Sequence, residues 1–109
     1  MGDRSRVNLY SELLGFLESR GRSLSEFGSY ERGLDIQDAK AFLHLLSSND
    51  VPVLGIEVWR SANGWLAVDG WETWYSIKGE SIRDNHLSAS RYLAGIKVGA
   101  NDALAIQFG

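Results

Sequence analysis

The chain has 109 residues, a length that suits one domain and leaves too few residues for two independent cores. Hydrophobic residues at 44% against 23% charged, with four each of Trp, Tyr and Phe, supply enough apolar surface to fold, so disorder is expected only at the ends, over residues 1–7. Eleven basic against fourteen acidic side chains give a net charge of −3, no excess for gathering phosphates, and the lack of cysteine excludes disulfides, thiolate metal sites and a cysteine nucleophile.

Over 8–20, Leu9, Leu13, Phe16 and Leu17 recur at helical spacing, with Glu12 and Glu18 left for water and Gly21 as a stop; the pattern predicts a first helix. The stretch 22–33 is rich in Ser and Gly, is anchored by Leu24, Phe27 and Tyr30, and reads as a connecting loop. Asp35 then suits an N-cap and Asp38 the first turn. Ile36, Ala39, Leu43 and Leu46 follow as one face of a second helix, which ends before Pro52. In 53–60, Leu54, Ile56 and Val58 alternate with Gly55, Glu57 and Trp59, as in a strand with two different faces. Asn63-Gly64 closes a hairpin turn into a second strand over 65–68, and Asp69-Gly70 has the composition of a two-residue turn into a third strand over 71–77. Ile82, His86, Ala89, Leu93 and Ile96 mark a third helix ending near Gly99, and 103–108 alternates as a final strand.

This order predicts a single α+β domain over 1–109: a two-layer sandwich with a mostly antiparallel four-stranded sheet and helices on one face. By direction, the last strand runs with the first and third and joins the sheet through a crossover by the third helix. The helix-facing side would carry Leu54, Ile56, Val58, Leu66, Val68, Leu104 and Ile106; on the third strand either Trp71, Thr73, Tyr75 and Ile77 or Glu72, Trp74 and Ser76 could face inward, and the first set is the more core-like. The opposite face would present Glu57, Trp59, Trp65, Glu72 and Trp74 as an open aromatic and acidic surface, unless the 22–33 loop or the first helix folds over it and buries the tryptophans as a second small core.

Chemistry is sparse. His44 and His86 sit on different helices with no partner at ligand spacing on either, and the offsets of two between Asp84, His86 and Ser88 point in different directions on a helix. The glycines form no phosphate loop, dinucleotide fingerprint or nucleophile elbow. No catalytic residue, metal or cofactor is therefore expected, and the one carboxylate pair left for acid–base work is Glu57 with Glu72 across neighbouring strands. No run nears the roughly 20 apolar residues of a membrane span, and the stretch after Arg4 and Arg6 is too polar for a signal-peptide core. The expectation is a soluble cytoplasmic protein that binds neither nucleic acid nor membrane, with its oligomeric state left open.

The segments Val51-Pro52-Val53-Leu54-Gly55, Val58 and Trp74-Tyr75, with Gly33-Leu34 and Asp38-Ala39 before them and Ser90-Arg91-Tyr92 after, resemble the immunity protein 40 family of bacterial polymorphic-toxin systems over about 30–108. Where the family pattern reads Gly-Gly-Asp-Val, this chain has Gly55-Ile56-Glu57-Val58: the acid is kept and the second glycine is not. The resemblance implies a protein that binds and neutralises a cognate protein toxin. Glu57, Trp59, Trp65, Glu72 and Trp74 would then form the partner-binding surface, the tryptophans as anchors and the carboxylates meeting basic groups. The alternative is a small-ligand-binding or enzymatic domain that uses Glu57 or Glu72 on the same sheet face.

Overall fold

The computed structural model describes residues 8–109 in full and carries the first helix back to Gly2; the expected disorder over 1–7 lies outside the residues so described. Helix α1, Gly2–Arg20, stops at Gly21, whose N–H bonds back to Leu17 O at 2.7 Å. Leu13 of α1 is buried, and Phe16 meets Phe42 with ring centroids 5.2 Å apart. The next stretch is not a bare loop. It forms a small antiparallel ribbon of β1, Arg22–Ser23, and β2, Arg32–Gly33, around one 3₁₀ turn at Ser25–Phe27 and a left-handed Gly28. Helix α2, Ile36–Ser48, begins as expected, the Asp35 side chain accepting from Asp38 N at 2.7 Å, and it buries Ala39, Phe42, Leu43 and Leu46.

Strand β3, Val53–Ala62, turns at Asn63 (φ 53°) and Gly64 (φ 79°) into β4, Trp65–Tyr75. Helix α3, Ile82–Gly95, is capped by Ser81, and β5, Ala103–Phe108, closes the chain. The main sheet has three strands in the order β4-β3-β5, and β3 is antiparallel to both neighbours. The α+β expectation holds, whereas the four-stranded sheet does not. A two-residue hairpin turn of the favoured type needs positive φ at both central residues. Asn63 and Gly64 supply it, and Asp69 and Gly70 do not. The chain therefore passes through Asp69-Gly70 without reversing, and the expected second and third strands are one. With one reversal fewer, β5 runs against β3 rather than with it, and lies on the side away from β4.

Helices and sheet meet in one core: Leu13, Leu34, Phe42, Leu46, Val53, Ile56, Val58, Leu93, Leu104 and Ile106 are among its buried members. Trp59, Leu66, Ala103 and Ala105 form a second cluster, covered by Leu24 and Phe27 of the ribbon segment 22–33. That segment is fastened to the free edge of β5 by a bridge between Leu34 and Leu104, with N–H···O distances of 2.7 and 2.8 Å. The sheet face expected to be open is thus partly roofed.

One register shift and the register set by the Asn63-Gly64 hairpin account for the other differences. The irregularity between Val53 and Gly55 turns Val53 into the helix-side core and leaves Leu54 exposed. The pairs Trp59↔Val68 and Ser61↔Leu66 place Leu66 and Val68 on the side of Trp59, so Leu66 is buried under the ribbon and Val68 is exposed. Among the described residues no helix is long and apolar enough to cross a membrane.

Candidate functional site

Strand β4 pairs with β3 alone, so its other side is a sheet edge. Along it the register jumps: Val58 faces Asp69 and Ile56 faces Trp74, so two steps along β3 are matched by five along β4. The surplus chain at 70–73 bulges away from the ladder. Asp69 Oδ1 accepts from Trp71 N at 3.2 Å and Thr73 Oγ1 donates to Asp69 O at 3.2 Å, which shapes the bulge from within.

The bulge is also tied to its surroundings. Arg60 on β3 reaches Asp69 with Nε at 3.6 Å and Asp102 with Nη1 at 3.1 Å. The Tyr92 hydroxyl of α3 donates to the Glu72 carbonyl, and Trp74 Nε1 donates to Ser88 Oγ at 3.2 Å. Burial and then the nearby Glu72 carboxylate push the Tyr92 phenol up to about 12, so it stays a donor across the working pH range. Between these tethers Trp71 is 99% exposed. An indole that buries nothing, on a segment held at both ends, is unusual in a chain with aromatic residues to spare for its cores. Trp65 (59%), Tyr75 (65%) and Ile77 (69%) are also exposed along β4 and its continuation.

The sequence-based residues do not form one surface. Glu57 and Trp59 point under the ribbon, Trp59 being only 7% exposed. Trp74, expected outward, is half-buried against the helix-side core, because its partner Ile56 belongs to that core. Glu72 is exposed on the bulge, and Trp65 at the hairpin end packs edge-on against Phe27, centroids 5.0 Å apart. Trp71, Tyr75 and Ile77, expected inward, are the exposed set. No alternation rule survives a bulge of this size, so Trp71 was hidden in the sequence by the very feature that exposes it.

A second arrangement lies beneath the ribbon. Glu31, from the ribbon, meets the carboxyl of Glu57 on β3, while its Oε1 accepts from Gln107 Nε2 of β5 at 2.9 Å. Burial, then the hydrogen bond and the charge of Glu31, push Glu57 up to about 7; the Trp59 indole acts the other way. Glu31 also lines a cleft of about 410 Å³ between α1 and the end of β5, with Glu18, Tyr30, Arg32, Gln107 and Phe108. Glu57 and Glu72, considered together from sequence, are separated: one is inside and the other on the bulge.

The histidines do converge, although each lacks a partner on its own helix. His44 and His86 both line a cleft of about 410 Å³ between α2 and α3. His86 is half-buried, as read from its helix face, and its Nε2 is hydrogen-bonded to Val51 O at 2.7 Å. No group of three or more potential metal-binding side chains occurs among the described residues. The chain matches no family model, no curated protein and no solved structure.

Proposed function

We propose that this chain is a protein-binding domain whose partner docks on the outer side of β4, with Trp71 as the central anchor and Glu72 beside it on the bulge. The observation that carries the reading is the fully exposed Trp71 on a bulge fixed by Arg60, Tyr92 and Ser88. A tryptophan carried on a tethered backbone spares the ordering of the chain on binding and buries a large apolar area, the profile of an interface hot spot. Glu72 beside it, together with the overall charge of −3, favours a basic partner surface.

The motif resemblance given above supplies the kind of partner: a protein toxin, which the chain would neutralise by occupying it. Blocking of this kind needs a complementary surface and no chemistry. The direct test is to express the chain together with a toxin-like domain encoded immediately beside its gene. Growth of the bacterial host is restored by the chain and not by Trp71→Ser. Failure of the folded chain to restore growth overturns the reading.

The acid–base alternative draws on one specific observation, the Glu57 carboxyl at about 7. Its weakness is geometric: Glu31, not Glu57, faces the neighbouring cleft.

A further inference from the structure

Two polar atoms beneath the ribbon, Glu31 Oε2 and Trp59 Nε1, are buried without a hydrogen-bond partner. Both belong to side chains that act on the Glu57 carboxyl. Glu31 Oε1 accepts from Gln107, which leaves Oε2 as the oxygen of this carboxylate that lacks a donor. Two carboxylates confined to one place cannot both ionise cheaply, and one proton between them turns repulsion into a hydrogen bond. A proton on Glu57 gives Glu31 Oε2 the donor that no N–H supplies.

We propose that Glu31 and Glu57 share a single proton that latches the 22–33 segment to the sheet, and that loss of this proton frees the segment to lift from Trp59, Leu66 and Ala105.

The segment is held at its two ends. Gly21 marks the end of α1 on one side, and on the other the two Leu34–Leu104 hydrogen bonds hold β2 to β5. Between them the roof is shallow: Leu24 is its one fully buried side chain and Phe27 is half-buried. Among the described residues no cation forms an ion pair with Glu31 or Glu57. Gln107 faces it from β5 and the Trp59 indole from β3, both uncharged. From α1, Glu18 stands on the cleft wall beside Glu31. On the segment itself Arg32 stands on that wall, and Arg22 is engaged with Glu26 at 3.8 Å. None of these charges is among the influences on Glu57.

The raised Glu57 supports the latch and fixes its direction. The closed segment holds a proton that the open one, with an ordinary carboxyl near 4.5, releases at lower pH. Closure is therefore strongest below 4.5, weakens as pH rises from 4.5 to about 7, and no longer changes with pH above that.

Amide hydrogen exchange of the intact chain between pH 5 and pH 8, corrected for intrinsic chemical exchange, tests this. The reporters are Leu24 N–H and Ser29 N–H, bonded to Glu31 O and Leu24 O within the segment; the references are the core amides of Leu46 and Ile56. Protection of the reporters falls by roughly tenfold or more across this range while the references keep theirs. In Glu57→Gln, whose amide can donate to Glu31 at any pH, the fall disappears. Glu31→Gln gives the same result by the reverse donation and serves if the first variant does not fold. Equal protection at both pH values, a fall shared by the reference amides, or a fall that persists in the variants would overturn the proposal.

Discussion

The side-chain amide of Asn85 closes both backbone hydrogen bonds of Val53: Oδ1 accepts from Val53 N and Nδ2 donates to Val53 O, each at 2.8 Å. The last ladder pair of β4 is Tyr75 with Gly55, so Val53 lies beyond its reach, and Asn85 of α3 stands in for the missing strand. Its Nδ2 also reaches Glu80 Oε1 at 3.0 Å, and the residue is buried. Asn85→Leu strips Val53 of both partners inside the core. We expect it to lower stability by about 2–4 kcal/mol in urea unfolding, through two buried backbone groups left unsatisfied.

Asp102 performs the corresponding task at the far end of the sheet. Oδ1 accepts from Ser61 N at 2.8 Å, and Oδ2 from Gly99 N at 2.8 Å and Arg60 Nη1 at 3.1 Å. Burial alone would raise its pKa, but the two backbone N–H groups and the guanidinium outweigh burial and hold it below the ordinary 3.8. A depressed carboxylate contributes stability above its unfolded value and loses it as pH falls through the folded one. Asp102→Asn should therefore cost about 1–3 kcal/mol at pH 7, with the gap from the parent protein closing in acid; thermal unfolding at pH 7 and pH 3 measures both.

Two glycines give opposite expectations. A Cβ on Gly33 would stand 2.6 Å from Ala103 Cβ and 3.3 Å from Leu24 Cδ2, beneath the ribbon, whereas one on Gly15 in α1 would meet nothing within 4 Å. Gly33→Ala is expected to destabilise by about 1–3 kcal/mol through overpacking, and Gly15→Ala to stabilise by about 0.5–1 kcal/mol through helix propensity. Thermal melts of the pair decide whether the ribbon packs as described.

The helices were legible in the sequence through local signals, Asp35 as a cap, Gly21 as a stop and apolar residues at three and four, although α3 ends at Gly95, with Ile96 already extended, rather than near Gly99. The same holds for Asn63-Gly64, whose composition and positive φ agree. Asp69-Gly70 has the same kind of composition and does not turn, because β3 extends far enough to pair with the chain on both sides of it. That is a tertiary outcome, and no local signal marks it. The consequences spread along β4: Trp74 went inward, Trp71 outward, and the strand count fell by one. Glu57, expected on an open face with Glu72 as its possible partner, lies beneath the ribbon, and the carboxyl it meets is that of Glu31, 26 positions earlier in a segment that reads as a loop.

The proposed function rests on Trp71, on its tethered bulge, as the anchor for a protein partner. Isothermal titration of the chain and of Trp71→Ser with a toxin domain against which the parent chain restores growth measures the contribution of this side chain. Loss of a buried tryptophan anchor is expected to weaken binding by roughly 30-fold or more, about 2 kcal/mol, with the melting temperature unchanged because the side chain packs against nothing in the free domain. A Trp71→Ser variant that binds as tightly as the parent protein would contradict the account.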